Sequence, residues 1–377
     1  MAADPPSLAH HFAELEDPRL DRTRAHDLLD IVLVAVCAIL GGADSWVAVE
    51  VFGNAKIAWF KRFLTLRNGI PSHDTFGRVF RLLDPEQFRT CFLKWIEALI
   101  TLPELRHVAI DGKTLRGSFD RHAGRAALHL VSAWANELRL TLGQVAVGEA
   151  SNEITAIPKL LELLELSGAL VTIDAIGCQK DIASKVRTAG ADYLLTVKAN
   201  QGNLFDDVAA AFTGVIERTP LTPSLTYHST DDEGHGRRET RQCYVTDDLN
   251  GIRDRALWAD LSTLGMVISE RRVAGQTTQE VRYLISSRAL TAAELLAAAR
   301  GHWEIENCLH WSLDVTFGED ACRTRKDHAP ENLALLRRIT LSLLKRANVK
   351  MSLSMRRAKA GWDEGFMEEA LFGTRLG

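Results

Sequence analysis

Two short apolar runs in this chain each end in an aspartate, His107-Val-Ala-Ile-Asp111-Gly and Val171-Thr-Ile-Asp174-Ala. Runs of aliphatic and β-branched residues read as buried strands, where a terminal ionisable side chain is costly unless it meets a cation or opens into a cleft. Taken singly, each aspartate reads equally well as a turn starter or helix cap, as Asp111-Gly112 illustrates. Taken together, both sit at the C-terminal ends of strands, the edge of an α/β sheet where sites form. A third acid follows in Trp303-Glu-Ile-Glu306-Asn307. Asp111, Asp174 and Glu306 are thus the candidate catalytic and metal-ligating residues, since three converging carboxylates would hold a divalent ion.

The chain has 377 residues, 46% hydrophobic and 25% charged, which is ordinary soluble composition and enough for two or three domains. The longest apolar run, Leu28 to Leu40, is interrupted by Asp30 and too short to span a bilayer; no signal-peptide order follows Met1. A cytoplasmic protein acting at the nucleoid, with no membrane partner, is expected. Six cysteines lack C-x-x-C pairing or zinc spacing, so neither zinc nor a disulfide framework is indicated. The net charge of -4 hides an asymmetry: Ala321 to Ala360 holds eleven Lys and Arg, including Arg337 and Arg338, against Asp327 and Glu331. Such a patch suits DNA phosphates.

Residues 1–100 read as helical, with apolar residues at helical spacing in Leu28 to Leu40, Val47 to Phe63 and Phe88 to Ile100. Ser72 is a helix cap, and the face carrying His73, Arg78 and Arg81 resembles the second helix of a helix-turn-helix. A plain solvated helix face fits the same residues. Strands then follow at Arg106 to Gly117, Ala127 to Trp134 and Thr141 to Val147, a helix at Ile157 to Leu166, and the Asp174 strand. After a helix at Ile182 to Ala189, Tyr193 to Val197 reads as a strand leading to Lys198, Asn200 and Gln201. These three suit a phosphate or base, or form a polar turn. The order predicts an α/β fold with a ribonuclease H-like mixed sheet over 101–219 and 288–350.

Between them, 220–287 reads as an inserted β-rich subdomain, with strands at Arg241 to Thr246, Thr263 to Arg271 and Val281 to Ser286. Its His235-Gly-Arg237-Arg238 loop, with Arg241, is either solvated or a DNA-backbone contact. Thr291-Ala-Ala-Glu294 is a capping box, predicted to open one long helix to Leu313. Along it Leu295, Ala299, His302, Glu306, Leu309 and Leu313 share an inward stripe, while Glu304 falls about 160° from Glu306 and reads as an exposed salt-bridge former. Residues 351–377 read as a C-terminal tail.

Five segments together resemble the H-repeat-associated group of bacterial insertion-sequence DDE transposases: Ile70-Pro-Ser-His-Asp-Thr-Phe76, Ile110-Asp-Gly-Lys-Thr-Leu-Arg-Gly-Ser118, Leu195-Thr-Val-Lys-Ala-Asn-Gln201, His235-Gly-Arg237 and His302-Trp-Glu-Ile-Glu-Asn-Cys-Leu-His-Trp-Ser-Leu-Asp-Val315. The resemblance spans nearly the whole chain. It implies a ribonuclease H-like catalytic domain, an inserted β-domain and an associated helical N-terminal domain, with Asp111, Asp174 and Glu306 at the catalytic positions. In the broader class with inserted β-domains a tyrosine, an arginine and a lysine accompany the glutamate; here those positions are Ala299, His302 and Leu313. Phosphate contacts then fall to groups such as His302, His310, Lys113 and Arg116.

The chemistry implied is cleavage and strand transfer of double-stranded DNA at terminal inverted repeats and target sites, by a homodimer on DNA. Asp111 would bridge two Mg2+ ions, with Mn2+ a substitute, and Asp174 and Glu306 would each complete one shell. Gly112-Lys113-Thr114 is no Walker A motif, because the position five before Gly112 is His107; no nucleotide cofactor is expected. A metal-dependent nuclease without strand transfer, or a non-mobile DNA-binding descendant, are the other readings.

Overall fold

The computed structural model describes residues 8–100, 105–121, 123–148, 151–213, 224–234, 236–347 and 349–373. Six helices come first: α1 (Leu8–Phe12), α2 (Leu28–Leu40), α3 (Trp46–Ala55), α4 (Ile57–Phe60), α5 (His73–Leu82) and α6 (Pro85–Leu99). α2 is buried on every side, as its all-apolar run requires. The acid interrupting that run is satisfied locally, since Asp30 accepts from the Leu66 and Thr65 amides at 2.7 and 3.3 Å. Among the described residues no helix is long and apolar enough to cross a membrane.

Ser72 caps α5, which buries Phe76, Val79 and Phe80 and stacks Phe76 and Phe80 on Trp46. α3 and α5 are separated by residues 56–72, including α4. A helix-turn-helix joins its helices by three or four residues, so that geometry is not formed around Ser72 to Arg81.

The next segment contains β1 (His107–Thr114), β2 (His129–Ala135), β3 (Leu140–Ala146), α7 (Glu153–Glu162), β4 (Leu170–Ile173), α8 (Lys180–Thr188), β5 (Asp192–Val197) and α9 (Asn203–Ala211). The order β3-β2-β1-β4-β5, with β1, β2 and β3 antiparallel and β4 and β5 parallel to β1, is the ribonuclease H-like arrangement. α7 packs on the face of Gly143, where an added Cβ would meet Leu160 and Leu164.

The insertion supplies β6 (Leu225–Gly234), β7 (Arg237–Thr246), β8 (Thr263–Val273) and β9 (Gln276–Ser286). β7, β8 and β9 are longer than the sequence pattern indicates, and β6 lies where that pattern marks no strand. They also form no separate layer: β9 pairs directly with β5, Leu194 opposite Ser286, giving one nine-stranded sheet. Their inner halves are buried against α10 (Ala292–His302), whereas the outer halves are mostly exposed.

α11 (Trp311–Phe317), α12 (Ala329–Arg346), α13 (Leu353–Trp362) and α14 (Glu364–Phe372) complete the fold. The presumed tail is therefore helical and docked, over the part described. Arg357 of α13 donates to the carbonyls of Ile39 at 3.0 Å and Thr316 at 2.6 Å. Asn332 of α12 donates to the carbonyls of Phe80 and Leu83 at 2.9 and 2.8 Å. N-terminal helices, sheet and C-terminal helices thus share one hydrophobic core.

Candidate active site at the sheet edge

β1 and β4 run parallel with Ile110 level with Ile173, so Asp111 and Asp174 follow at the same end of adjacent strands. Asp174 starts the expected turn, its Oδ1 accepting from the Ile176 amide at 3.0 Å. On the face of His107 and Asp111 lies α10, opened by the predicted capping box: the Thr291 amide donates to Glu294 and the Glu294 amide to Thr291. α10 approaches β1 closely at Gly301, where an added Cβ would stand 2.5 Å from the His107 ring.

The long helix expected from Thr291 to Leu313 is interrupted. α10 ends at His302, and Ile305–His310 is wound as a π-helix before α11 begins. Such wide turns shift the side-chain phase and recur at functional sites. Leu295, Leu309 and Leu313 are buried as the stripe predicts, but Glu306 is exposed rather than inward. Its charge raises Asp111 and Asp174 raises Glu306, so the three carboxylates lie within electrostatic reach of one another. Glu304 is half-buried and influences Lys345, with no ion pair among the described residues; it is not the exposed salt-bridge former expected.

Burial pushes Asp111 up to about 7, and the charges of Asp174, Glu306 and Glu153 push the same way against a hydrogen bond from the Gly112 amide. Burial and Asp174 also raise Glu306, opposed by Arg282. Among the described residues, no three His, Cys, Asp or Glu side chains are drawn together in metal-ligand geometry. The donor set nonetheless fits a hard divalent ion: it is all carboxylate oxygen, and a carboxyl held up to about 7 by burial and like charge is one a cation would restore.

Two histidines brace this edge. Asn136 Nδ2 donates to Gly301 O at 2.8 Å and to His107 Nδ1 at 2.9 Å. The neutral His107 then donates from Nε2 to Thr172 Oγ1, 2.8 Å away, and that hydroxyl also lies 3.1 Å from His302 Nδ1. Burial lowers His302, so its imidazole is neutral, against a hydrogen bond to the Thr172 backbone. His310 Nδ1 lies 3.5 Å from Asp111 Oδ2, and burial holds its imidazole neutral with a pKa of about 3.

The expected DNA contacts divide. Lys113 is 8% exposed and donates to Asp314 at 2.7 Å and Asp320 at 3.3 Å, which removes it from phosphate binding. His302 and His310 are neutral and half-buried, so neither supplies a positive charge. Arg337 and Arg338 are 5% and 0% exposed inside α12, and Arg338 donates to buried Glu319 at 3.0 Å. The basic surface of 321–360 is thereby dismantled; Arg356 caps backbone carbonyls, Arg357 is buried, and Arg323, Lys326, Arg346 and Lys350 are left exposed. Arg238 and Arg241 are neutralised by Asp231 and Asp232 on β6, while Arg237 is exposed and His235 lies outside the described residues. Arg81 pairs with Asp327 at 3.3 Å, and Arg78 is exposed. Arg116 is exposed within 3.5 Å of Asp320. Lys198 and Asn200 are exposed and Gln201 half-buried, with Asn200 reaching the Ala175 carbonyl beside Asp174.

Sequence reasoning missed Glu153, Arg282 and Trp303. Glu153 Oε1 is 2.7 Å from His129 Nε2, and an added Cβ on Gly112 would collide with both side chains. Gly112 next to Asp111 was the available signal: a glycine inside a strand marks a close approach.

The chain matches the family described as Transposase DDE domain over residues 102–343 and the DDE_Tnp_1-associated family over residues 9–96. It is 38% identical to the H repeat-associated protein YhhI of Escherichia coli K12, covering 98% of each chain. It is 40% identical to YncI of Escherichia coli O157:H7, covering 97% of this chain and 94% of that one. A solved structure, a piggyBac transposase synaptic complex with hairpin DNA, aligns over 99% of this chain and 79% of its own at 11% identity and a TM-score of 0.43. With its strand order ribonuclease H-like and nearly its full length shared with these relatives, the chain belongs to the DDE transposase family.

Proposed function

We propose that this chain is a DNA transposase that binds the ends of its insertion sequence and cuts and joins DNA strands at the edge formed by Asp111, Asp174 and Glu306. The observation that carries this reading is geometric: Asp111 and Asp174 follow level positions on adjacent parallel strands, and the buried Asp111 is raised further by the charges of Asp174 and of Glu306 on the π-helix. A divalent ion held by the three, magnesium or in its place manganese, would supply charge stabilisation at the attacking and leaving oxygens of a phosphodiester. The protein's own part is positioning. His310 steadies Asp111, while the Asn136–His107–Thr172–His302 chain fixes the helix bearing Glu306 against the strands.

The substrate is double-stranded DNA, with two ends brought together by a homodimer in the cytoplasm. The test is incubation of the purified chain with a duplex copied from the DNA flanking its own gene, in magnesium or manganese. Metal-dependent strand cleavage followed by joining to a target supports the reading. Cleavage without joining would make the chain a nuclease, and binding without cleavage a DNA-binding descendant.

A further inference from the structure

With Lys113 paired and His302 and His310 neutral, a phosphate approaching three carboxylates needs another cation. Arg282, on the last strand of the insertion, stands where one is needed. Its guanidinium carbon lies 4.8 Å from the ring centroid of Trp303, three residues before Glu306, and its charge acts on both Glu306 and His302. Its Nε and Nη2 each donate to Glu280, at 2.8 Å. The register Val197 opposite Tyr283 brings Lys198 to the same corner, where its charge lowers Glu280.

A planar guanidinium fork matches carboxylate and phosphate alike, and stacking on an indole fixes its plane. The Arg282 and Glu280 side chains are 30% and 55% exposed, so their pair contributes little to folding and can be exchanged. We propose that Arg282 is the phosphate-binding residue of this site, held by Glu280 in the free protein and transferred to a backbone phosphate when DNA enters, with Trp303 keeping the guanidinium oriented. This rests on the transposase reading.

The test is fluorescence anisotropy of the full chain with a random-sequence duplex across a salt series, beside a cleavage assay on the gene-flanking duplex. Arg282→Gln should flatten the plot of log affinity against log salt by about 0.9, the loss of one phosphate contact. Glu280→Gln should tighten binding by freeing the fork, and the double variant should behave as Arg282→Gln. Arg282→Lys, which keeps the charge, should retain the slope. An unchanged slope for Arg282→Gln, or affinity shifts of the same sign for Arg282→Gln and Glu280→Gln, would overturn the assignment. If the unaltered chain binds and cleaves while these variants match it, the Arg282 assignment alone fails. If the unaltered chain does not bind duplex DNA, the transposase reading fails and takes the assignment with it.

Discussion

Lys113 Nζ donates to Asp314 Oδ2 at 2.7 Å, tying the strand that carries Asp111 to the helix that follows Glu306. Two residues from the first acid, this buried ammonium also holds Asp320 at 3.3 Å. Lys113→Ala would leave Asp314 without its cation and Asp320 with Arg116 alone, at a cost of about 1–3 kcal/mol. A thermal melt should show the loss. Melting at the wild-type temperature would mean the bridge does not hold the two segments together.

Arg338 offers a second structural test. Its guanidinium and Glu319 are both fully buried, so truncating Arg338→Leu alone strands a buried carboxylate, at about 3–5 kcal/mol. Replacing both with apolar residues should recover most of that loss. Urea titration of the single and double variants measures it; equal destabilisation by both would contradict the pairing.

How far such residues were legible in the sequence depends on what buried them. Strands β1, β4 and β5 stand out because each is a compact aliphatic run, and α5 and α10 because Ser72 and Thr291 announce their caps. Arg337 and Arg338 read as surface cations, yet Leu335, Leu336, Ile339 and Leu341 flank them on all sides of α12, the mark of a helix buried all round. Glu319, which compensates Arg338, comes from a separate loop that no local pattern reveals. Pairing of β9 with β5 and the π-winding at Ile305–His310, where Glu306 is exposed, are likewise tertiary outcomes.

Asp111 predicts a pH dependence of opposite sign to the usual carboxylate. Its pKa in the fold, about 7, lies above the unfolded value, so the native state binds the extra proton. Asp111's own contribution to stability without metal should fall as pH rises from about 4 to about 7, by up to about 4 kcal/mol, and then level off, against the opposite contribution of the buried neutral His107 and His310. Asp111→Asn should remove that slope, and magnesium at pH 8 should stabilise the unaltered chain but not the variant. Melting curves of both proteins across pH check this; a stability difference between the unaltered chain and Asp111→Asn that stays constant over the range would contradict the raised carboxyl.

Gly301 sets the distance between α10 and β1. Gly301→Ala would drive a methyl group into the His107 ring, costing about 1–3 kcal/mol and loosening the contact that aligns His302. Lower stability together with reduced DNA cleavage is expected. An alanine variant with wild-type stability would show that the approach is not tight.

Glu306 and Glu304 separate the account from its rivals, since they stand two residues apart at the start of the π-helix but in different surroundings. Glu306→Gln keeps the side chain's size and removes the charge that acts on Asp111, whereas Glu304→Gln alters a half-buried group whose charge does not act on Asp111. The decisive measurement is the rate of strand cleavage by each purified variant on the gene-flanking duplex in magnesium, with binding recorded in parallel. Glu306→Gln should lose cleavage by about a hundredfold or more while still binding the duplex, and Glu304→Gln should cut near the unaltered rate. Cleavage by Glu306→Gln at the unaltered rate would contradict the three-carboxylate site.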